Sequence, residues 1–137
     1  MTSLLFVCYG NICRSPVAAG LAAKMHGDDY HIDSAGTGAH TGGPASAPAV
    51  DVMKEYGVDI SGHRSKNIHD LNPDDFDLII ALSASVRDDL LRGFPHIAPK
   101  VKLWEIPDPI GYGVDVYRRC ARLIEGKLRA SKQPHKY

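Results

Sequence analysis

Nowhere in this chain does an apolar run approach the ~20 residues that a bilayer-spanning helix requires. The start, MTSLLFVCYG, lacks the charged segment and the long apolar stretch of a secretory signal. Charge of one sign is not in excess either. Sixteen Lys and Arg face 16 Asp and Glu, so no whole-chain field draws the protein to nucleic acid or to a membrane surface. Any anion site must therefore be local. Cysteine is scarce and odd in number, with only Cys8, Cys13 and Cys120. That count excludes a disulfide framework, and a reducing, cytoplasmic setting is expected. Seven histidines are scattered without the Cys/His spacing of a zinc site, so neither a metal nor another cofactor is expected. Repeats, low-complexity runs and linkers are absent too, and 137 residues suit one domain with one core. A monomer is expected, with residues 131–137 as a frayed tail.

What is present alternates between strand and helix patterns. Residues 3–7, SLLFV, form the short unbroken apolar run of a strand buried on both faces. Pro16 suits a first helical turn, with Ser15 as its N-cap, and alanines extend this helix to His26. YHIDSAG, residues 30–36, reads as a second strand running into the Gly- and Thr-rich loop TGAHTGGP. Residues 45–56 predict a helix stopped by Gly57, and VDISGHRSKNI reads as irregular. FDLIIAL, residues 76–82, is the strongest strand signal, followed by a helix over 83–92 capped by Ser83. KVKLW, residues 100–104, predicts a fourth strand, and the prolines and glycines of EIPDPIGYG predict a loop. The last helix, residues 114–130, places Val116, Tyr117, Cys120, Leu123, Ile124 and Lys127 on one face. Such alternation argues for an α/β domain with a parallel sheet.

The chemistry concentrates in residues 8–16, CYGNICRSP, between the first strand and the first helix. The leading amides of a helix have no intrahelical partner and the helix dipole favours negative charge there, so a strand–loop–helix junction is a ready anion site. Gly10 lets the loop aim several amides inward as a nest. Arg14 adds a planar fork matched to two phosphate oxygens. Cys8 would lie beneath the bound oxyanion, where the amides, Arg14 and a hydrogen bond from Ser15 all favour its thiolate. A thiolate under a phosphoryl group is placed for in-line displacement. A lone Cys-x5-Arg spacing arises often by chance. Here it stands between an apolar strand and a proline-started helix, which is the context the chemistry demands.

VCYGNICRSP resembles the active-site loop of the low-molecular-weight protein tyrosine phosphatases, and DSAGTGA, GVDISGHRS, DFDLIIALS and IPDP follow in the family's order. The resemblance covers nearly the whole chain. It implies a single α/β domain with a four-stranded parallel sheet flanked by helices, the phosphate-binding loop following the first strand. It also implies hydrolysis of protein phosphotyrosine or small aryl phosphates through a phosphocysteine. Cys8 is then the nucleophile, and the 9–14 loop (Tyr9, Gly10, Asn11, Ile12, Cys13 and Arg14) holds the phosphate. Ser15 assists the leaving thiolate.

Displacement by a thiolate also needs an acid for the leaving oxygen. PDP offers Asp108, stiffened between two prolines on the carboxyl side of a strand. Alone it is an ordinary Asp-Pro turn; the resemblance makes it acid and then base. Asn11, Ser34 and His63 match a network that braces the family's loop, although taken alone Ser34 is a strand-end cap and His63 a loop histidine. Cys13 matches a neighbour that forms a reversible disulfide with the oxidised nucleophile, while by itself it is equally a small packing residue. Cys120 is expected in the core.

The cleft walls depart from the pattern. Ile110 stands where the family has an aromatic after Asp-Pro, His40 where a wall aromatic is common, and Tyr9 where the residue is usually smaller. The expected ring sandwich is therefore either weaker or rearranged, in the latter case with Tyr9 and Tyr112 supplying the rings. Two variants of the fold compete. Phosphoarginine phosphatases resemble one another in having threonine where this chain has Ile12, and arsenate reductases need thiols in the segment that here reads SASVRDDLLRG. A loop that binds phosphate with little turnover is a third reading, which the presence of Cys8, Arg14 and Asp108 disfavours.

Overall fold

The computed structural model describes residues 2–131. The first strand, β1 (Thr2–Cys8), lies at the centre of the sheet and is flanked by β2 (Tyr30–Gly36) and β3 (Leu78–Ala81), with β4 (Val101–Leu103) at the edge. All pairings are parallel, in the order β2-β1-β3-β4. Cys8 pairs with Gly36 at the end of β1, and Val7 pairs with Ala81 at the end of β3. The order reverses between β1 and β3. In open α/β sheets the crevice at the carboxyl ends of such a pair is where ligands bind.

Four helices cover the sheet: α1 (Arg14–His26), α2 (Ala47–Glu55), α3 (Ala84–Gly93) and α4 (Val114–Ala130). The alternation of β1 divides the core. Leu4, Phe6 and Cys8 join a cluster with Val17 and Leu21 of α1, Met53 of α2 and Ile124 of α4, whereas Leu5 and Val7 join Val86 and Leu90 of α3. Cys8 thus points to the side of the sheet that carries α1. Fully buried side chains of this size each contribute about 1.5–3 kcal/mol relative to exposure, so β1 is anchored from both faces.

The single α/β domain expected from the alternation is present, with shorter elements. Residues 76–82 yield a strand only at Leu78–Ala81, because Pro73–Asp75 forms a tight 3-10 turn just before it. The second helix begins at Ala47, after Ser46, and the fourth strand keeps three residues. Ser15 is not an N-cap. Helix α1 starts two residues earlier than that cap would require, at Arg14, with Cys13 at the cap position and no side-chain cap bond. Pro16 is accommodated in that first turn, where its missing N–H leaves no bond unmade. Of the expected frayed tail, Ser131 is buried and its N–H reaches Lys127 O and Leu128 O as the C-cap of α4. Residues 132–137 lie outside the described residues. Among the described residues no helix is long and apolar enough to cross a membrane.

Candidate active site

Cys8 closes β1 and its Sγ sits at the floor of a cavity of about 480 Å³. The chain turns back over it through Asn11, the only non-glycine residue with positive φ among those described, at 55°. Asn is among the residues that tolerate this left-handed region. The turn delivers the Asn11 N–H to Cys8 Sγ at 3.2 Å. Helix α1 then starts at Arg14, so its first amides border the same space.

The second partner of Cys8 is Ser15 Oγ, 2.9 Å away. Either atom can donate here, and a deprotonated sulfur could only accept. The Lys66 N–H donates to Asn11 Oδ1 at 2.8 Å, which fixes that end of the amide as oxygen. Asn11 Nδ2 therefore donates to Ser15 Oγ at 2.7 Å and to Ser34 Oγ at 3.0 Å. With a lone pair of Ser15 Oγ so occupied, its hydroxyl hydrogen is free to point at Cys8 Sγ. Ser15 and Asn11 are fully buried. The Asn11 amide and the Ser15 hydroxyl thus meet on one buried sulfur.

Further bonds brace the loop from outside. His63 Nε2 donates to Asn11 O at 2.7 Å, which requires the tautomer protonated at Nε2. Burial, the largest cause, holds the His63 imidazole below its ordinary value, so this tautomer is neutral. Ser46 N–H donates to Ile12 O at 2.9 Å. Cys13 Sγ lies 3.3 Å from Tyr117 Oη and 3.5 Å from Ser46 Oγ. Burial pushes the Cys13 thiol up and the Tyr117 phenol up to about 12, the Cys13 hydrogen bond adding to the latter, so both keep their protons at neutral pH. Cys120 lies in the core, its thiol likewise pushed up by burial to about 12. All three cysteines are free thiols.

Arg14 is buried at 5% exposure, yet it lines the cavity. Its Nη1 donates to Ile106 O at 3.1 Å and more weakly to Leu82 O at 3.4 Å, which fixes the plane of the guanidinium. Its Nη2 lies 3.6 Å from Asp108 Oδ2, an ion pair longer than a hydrogen bond. Asp108 is half exposed, and its Oδ1 accepts the Ile110 N–H at 3.1 Å. The carboxylate thus stands at the mouth of the cavity whose floor is Cys8.

Of the expected wall residues, Tyr9, His40 and Ile110 line the cavity, as do Gly10, Ile12 and Cys13 of the loop. Tyr112 does not. A turn closed by its N–H on Pro109 O at 3.0 Å carries it outward, where it is 65% exposed. Asn11, Ser34 and His63 sit behind the loop as a connected network. Reading the sequence missed Lys66, Ser46 and Tyr117, whose contacts join residues far apart in the chain, and it missed why Gly36 is glycine. A Cβ there would fall 2.4 Å from Tyr9 O and 2.9 Å from Asn11 N, so any side chain would push the loop backbone off the end of β2.

Comparison with known proteins agrees with this geometry. The model of the low molecular weight phosphotyrosine protein phosphatases matches residues 3–133. The chain belongs to that family. Among similar proteins, arsenate reductase 2 of Staphylococcus epidermidis is 33% identical over 132 residues, covering 95% of each chain. The protein-arginine-phosphatase of Geobacillus stearothermophilus is 34% identical, covering 89% of this chain and 88% of the relative. The crystal structure of the low molecular weight protein tyrosine phosphatase from T. tengcongensis superposes with a TM-score of 0.84 at 37% identity, covering 94% and 96% of the two chains. The family is one of cysteine-based phosphatases, and the names borne by these relatives leave the substrate of this phosphatase-family chain to be argued from its own residues.

Proposed function

We propose that this family member hydrolyses phosphotyrosine in proteins and small aryl phosphates without a metal, as a cytoplasmic monomer. The observation that carries the reading is the convergence of the Asn11 amide and the Ser15 hydroxyl on Cys8 Sγ, at the floor of the cavity that Arg14 and Asp108 also line. In the first step the thiolate attacks phosphorus as the P–O bond to the aryl group breaks, and Asp108 gives its proton to the departing oxygen. Arg14 and the loop amides hold the three non-bridging oxygens, supplying fixed positive charge where negative charge accumulates. In the second step water attacks the phosphocysteine, Asp108 takes its proton, and the S–P bond breaks. The Ser15 hydroxyl stabilises the sulfur that leaves, and inorganic phosphate is the product.

Tyr9, Ile12 and Ile110 line the cavity with one ring and two aliphatic surfaces, which supports a flat aryl group as the bound moiety. Cys13, buried in the same loop, fits a protective part. An oxidant that takes Cys8 to the sulfenic acid would let the Cys13 thiol displace water and form a disulfide.

The test is phosphate release from p-nitrophenyl phosphate with a chelator present, in the wild type and in Cys8→Ser. Turnover is expected in the wild type alone. Turnover in both would remove Cys8 as nucleophile, and turnover in neither would sink the reading. A second reading, phosphoarginine as substrate, draws on the relative named protein-arginine-phosphatase. Against it, the apolar Ile12 lines the cavity where such relatives carry threonine. Comparing kcat/KM on phosphotyrosine and phosphoarginine peptides separates the two. Arsenate reduction is the least supported, because residues 83–93 contain no thiol and Cys120 is sealed in the core.

A further inference from the structure

A second cavity, of about 700 Å³, adjoins the one described. It shares Tyr9, Arg14 and Asp108 with the first, and its own walls are Ser83, Ser85, Glu105, Ile106 and Pro107. A phosphorylated side chain that reaches Cys8 fills the first cavity. A polypeptide that bears it and crosses the shared rim, between Tyr9 and Asp108, brings a neighbouring residue over the second.

The charges of this second cavity are unequal. Its only cation, Arg14, is buried and already committed to Leu82 O, Ile106 O and Asp108. Glu105 is exposed, and among the described residues it has no ion-pair partner. The start of α3 opposes it in sign, but a helix terminus carries only about half a charge. Its Val86 N–H is moreover already taken by Ser83 Oγ at 3.2 Å. The whole charge on Glu105 therefore sets the sign of the cavity.

Resting on the phosphatase reading above, we propose that the second cavity receives the residue flanking the phosphorylated one and that Glu105 selects a basic side chain there. Glu105 contacts no reacting atom. It acts on which protein segment is held, so the preference appears in peptide recognition and is absent from small aryl phosphates, which do not extend beyond the first cavity.

The experiment measures binding of phosphotyrosine peptides to the Cys8→Ser protein, which reads recognition whether or not the wild type turns over. Two peptides carry either Lys or Glu on both sides of the phosphotyrosine. The Lys peptide should bind about fivefold tighter, the most that one solvent-exposed ion pair ordinarily supplies, and the ratio should shrink as salt is raised. Adding Glu105→Gln should bring the ratio toward one, and Glu105→Lys should reverse it. A ratio near one in the Cys8→Ser protein, or a ratio that ignores both Glu105 substitutions, overturns the proposal. Wild-type hydrolysis of p-nitrophenyl phosphate, measured in parallel, separates failure of the phosphatase reading from failure of this one.

Discussion

The 8–14 loop and the 105–113 loop face each other across one cleft and are held in opposite ways. In the first, Cys8, Asn11, Cys13 and Arg14 are all at most 5% exposed. That loop takes bonds from Ser34, Ser46, His63, Lys66 and Tyr117, which come from four separate parts of the chain. The second loop exposes Ile110 at 49% and Tyr112 at 65%. It is tied to the sheet by the Ile106 N–H on Leu82 O at 3.1 Å and by Arg14 on Ile106 O, and past Asp108 its bonds are to itself and to the first turn of α4. Preorganised donors act only where they do not move, so the braced loop suits charge stabilisation. The other half carries Asp108, the proposed proton donor, and Ile110, a wall position that can differ between relatives without disturbing the anion site.

The largest effect should come from breaking the braced half at its charge. Arg14→Lys keeps a positive charge but loses the fork that reaches Ile106 O and the cleft together. A loss of kcat of about 10³-fold is expected, the upper range for removing one preorganised donor. Wild-type turnover by Arg14→Lys in a steady-state assay would remove the bidentate role. Breaking the other half at Asp108 should cost less, and selectively. Asp108→Ala should slow an alkyl or phenyl phosphate about 10²-fold, the lower range for a general acid, and a nitrophenyl phosphate much less. The measurement is kcat against leaving-group basicity, and a parallel line to the wild type would exclude Asp108 as the acid.

A smaller, pH-dependent effect tests whether the bracing itself matters. The folded state holds His63 below its ordinary value, chiefly by burial, so the unfolded chain binds the proton more readily. Stability is then fully present above the unfolded value, about 6.5, and is lost as pH falls from there through the folded value. Relative to His63→Gln, whose side chain can still donate to Asn11 O, the wild type should lose melting temperature between neutral pH and pH 5. Each kcal/mol corresponds to about 4 °C for a chain of this size. Melting curves that stay parallel across that range would place His63 outside the linkage.

The same contrast explains what could be read from the sequence. Residues 3–7, 30–36 and 114–130 follow local hydrophobic periodicity, and the structure has β1, β2 and α4 there. The strand–loop–helix junction at Cys8 and Arg14 was legible because its residue types and spacing sit in one short string. The bracing was not. Lys66 acts through its backbone amide, which no side chain announces, and Tyr117 meets Cys13 across 104 residues of sequence. Ser15 looked like a cap because a serine before a proline usually is one. The need to hold Cys8 and Asn11 turned its hydroxyl inward instead. Tyr112 looked like a wall because it lies two residues past Ile110, and the direction of the intervening turn decided otherwise.

The smallest effect belongs to Tyr9, which borders both cavities. Tyr9 follows Cys8 in the braced half, yet it is 60% exposed and lines both cavities. The far end of the ring lies against Gly38, where a Cβ would fall 2.4 Å from Tyr9 Cζ. Tyr9→Ala removes this surface while its backbone, whose O accepts the Gly38 N–H at 2.9 Å, still holds the loop. If the ring only packs against an aryl substrate, KM should rise about threefold with kcat unchanged, within the range of one aromatic contact. If it also positions the loop, kcat should fall with it. Gly38→Ala sharpens the choice, because its methyl would displace the far end of the ring and leave the residue 9 backbone in place. A KM increase shared by both variants, with kcat conserved in both, assigns Tyr9 to the wall; a drop in kcat for Tyr9→Ala alone assigns it to the anion site.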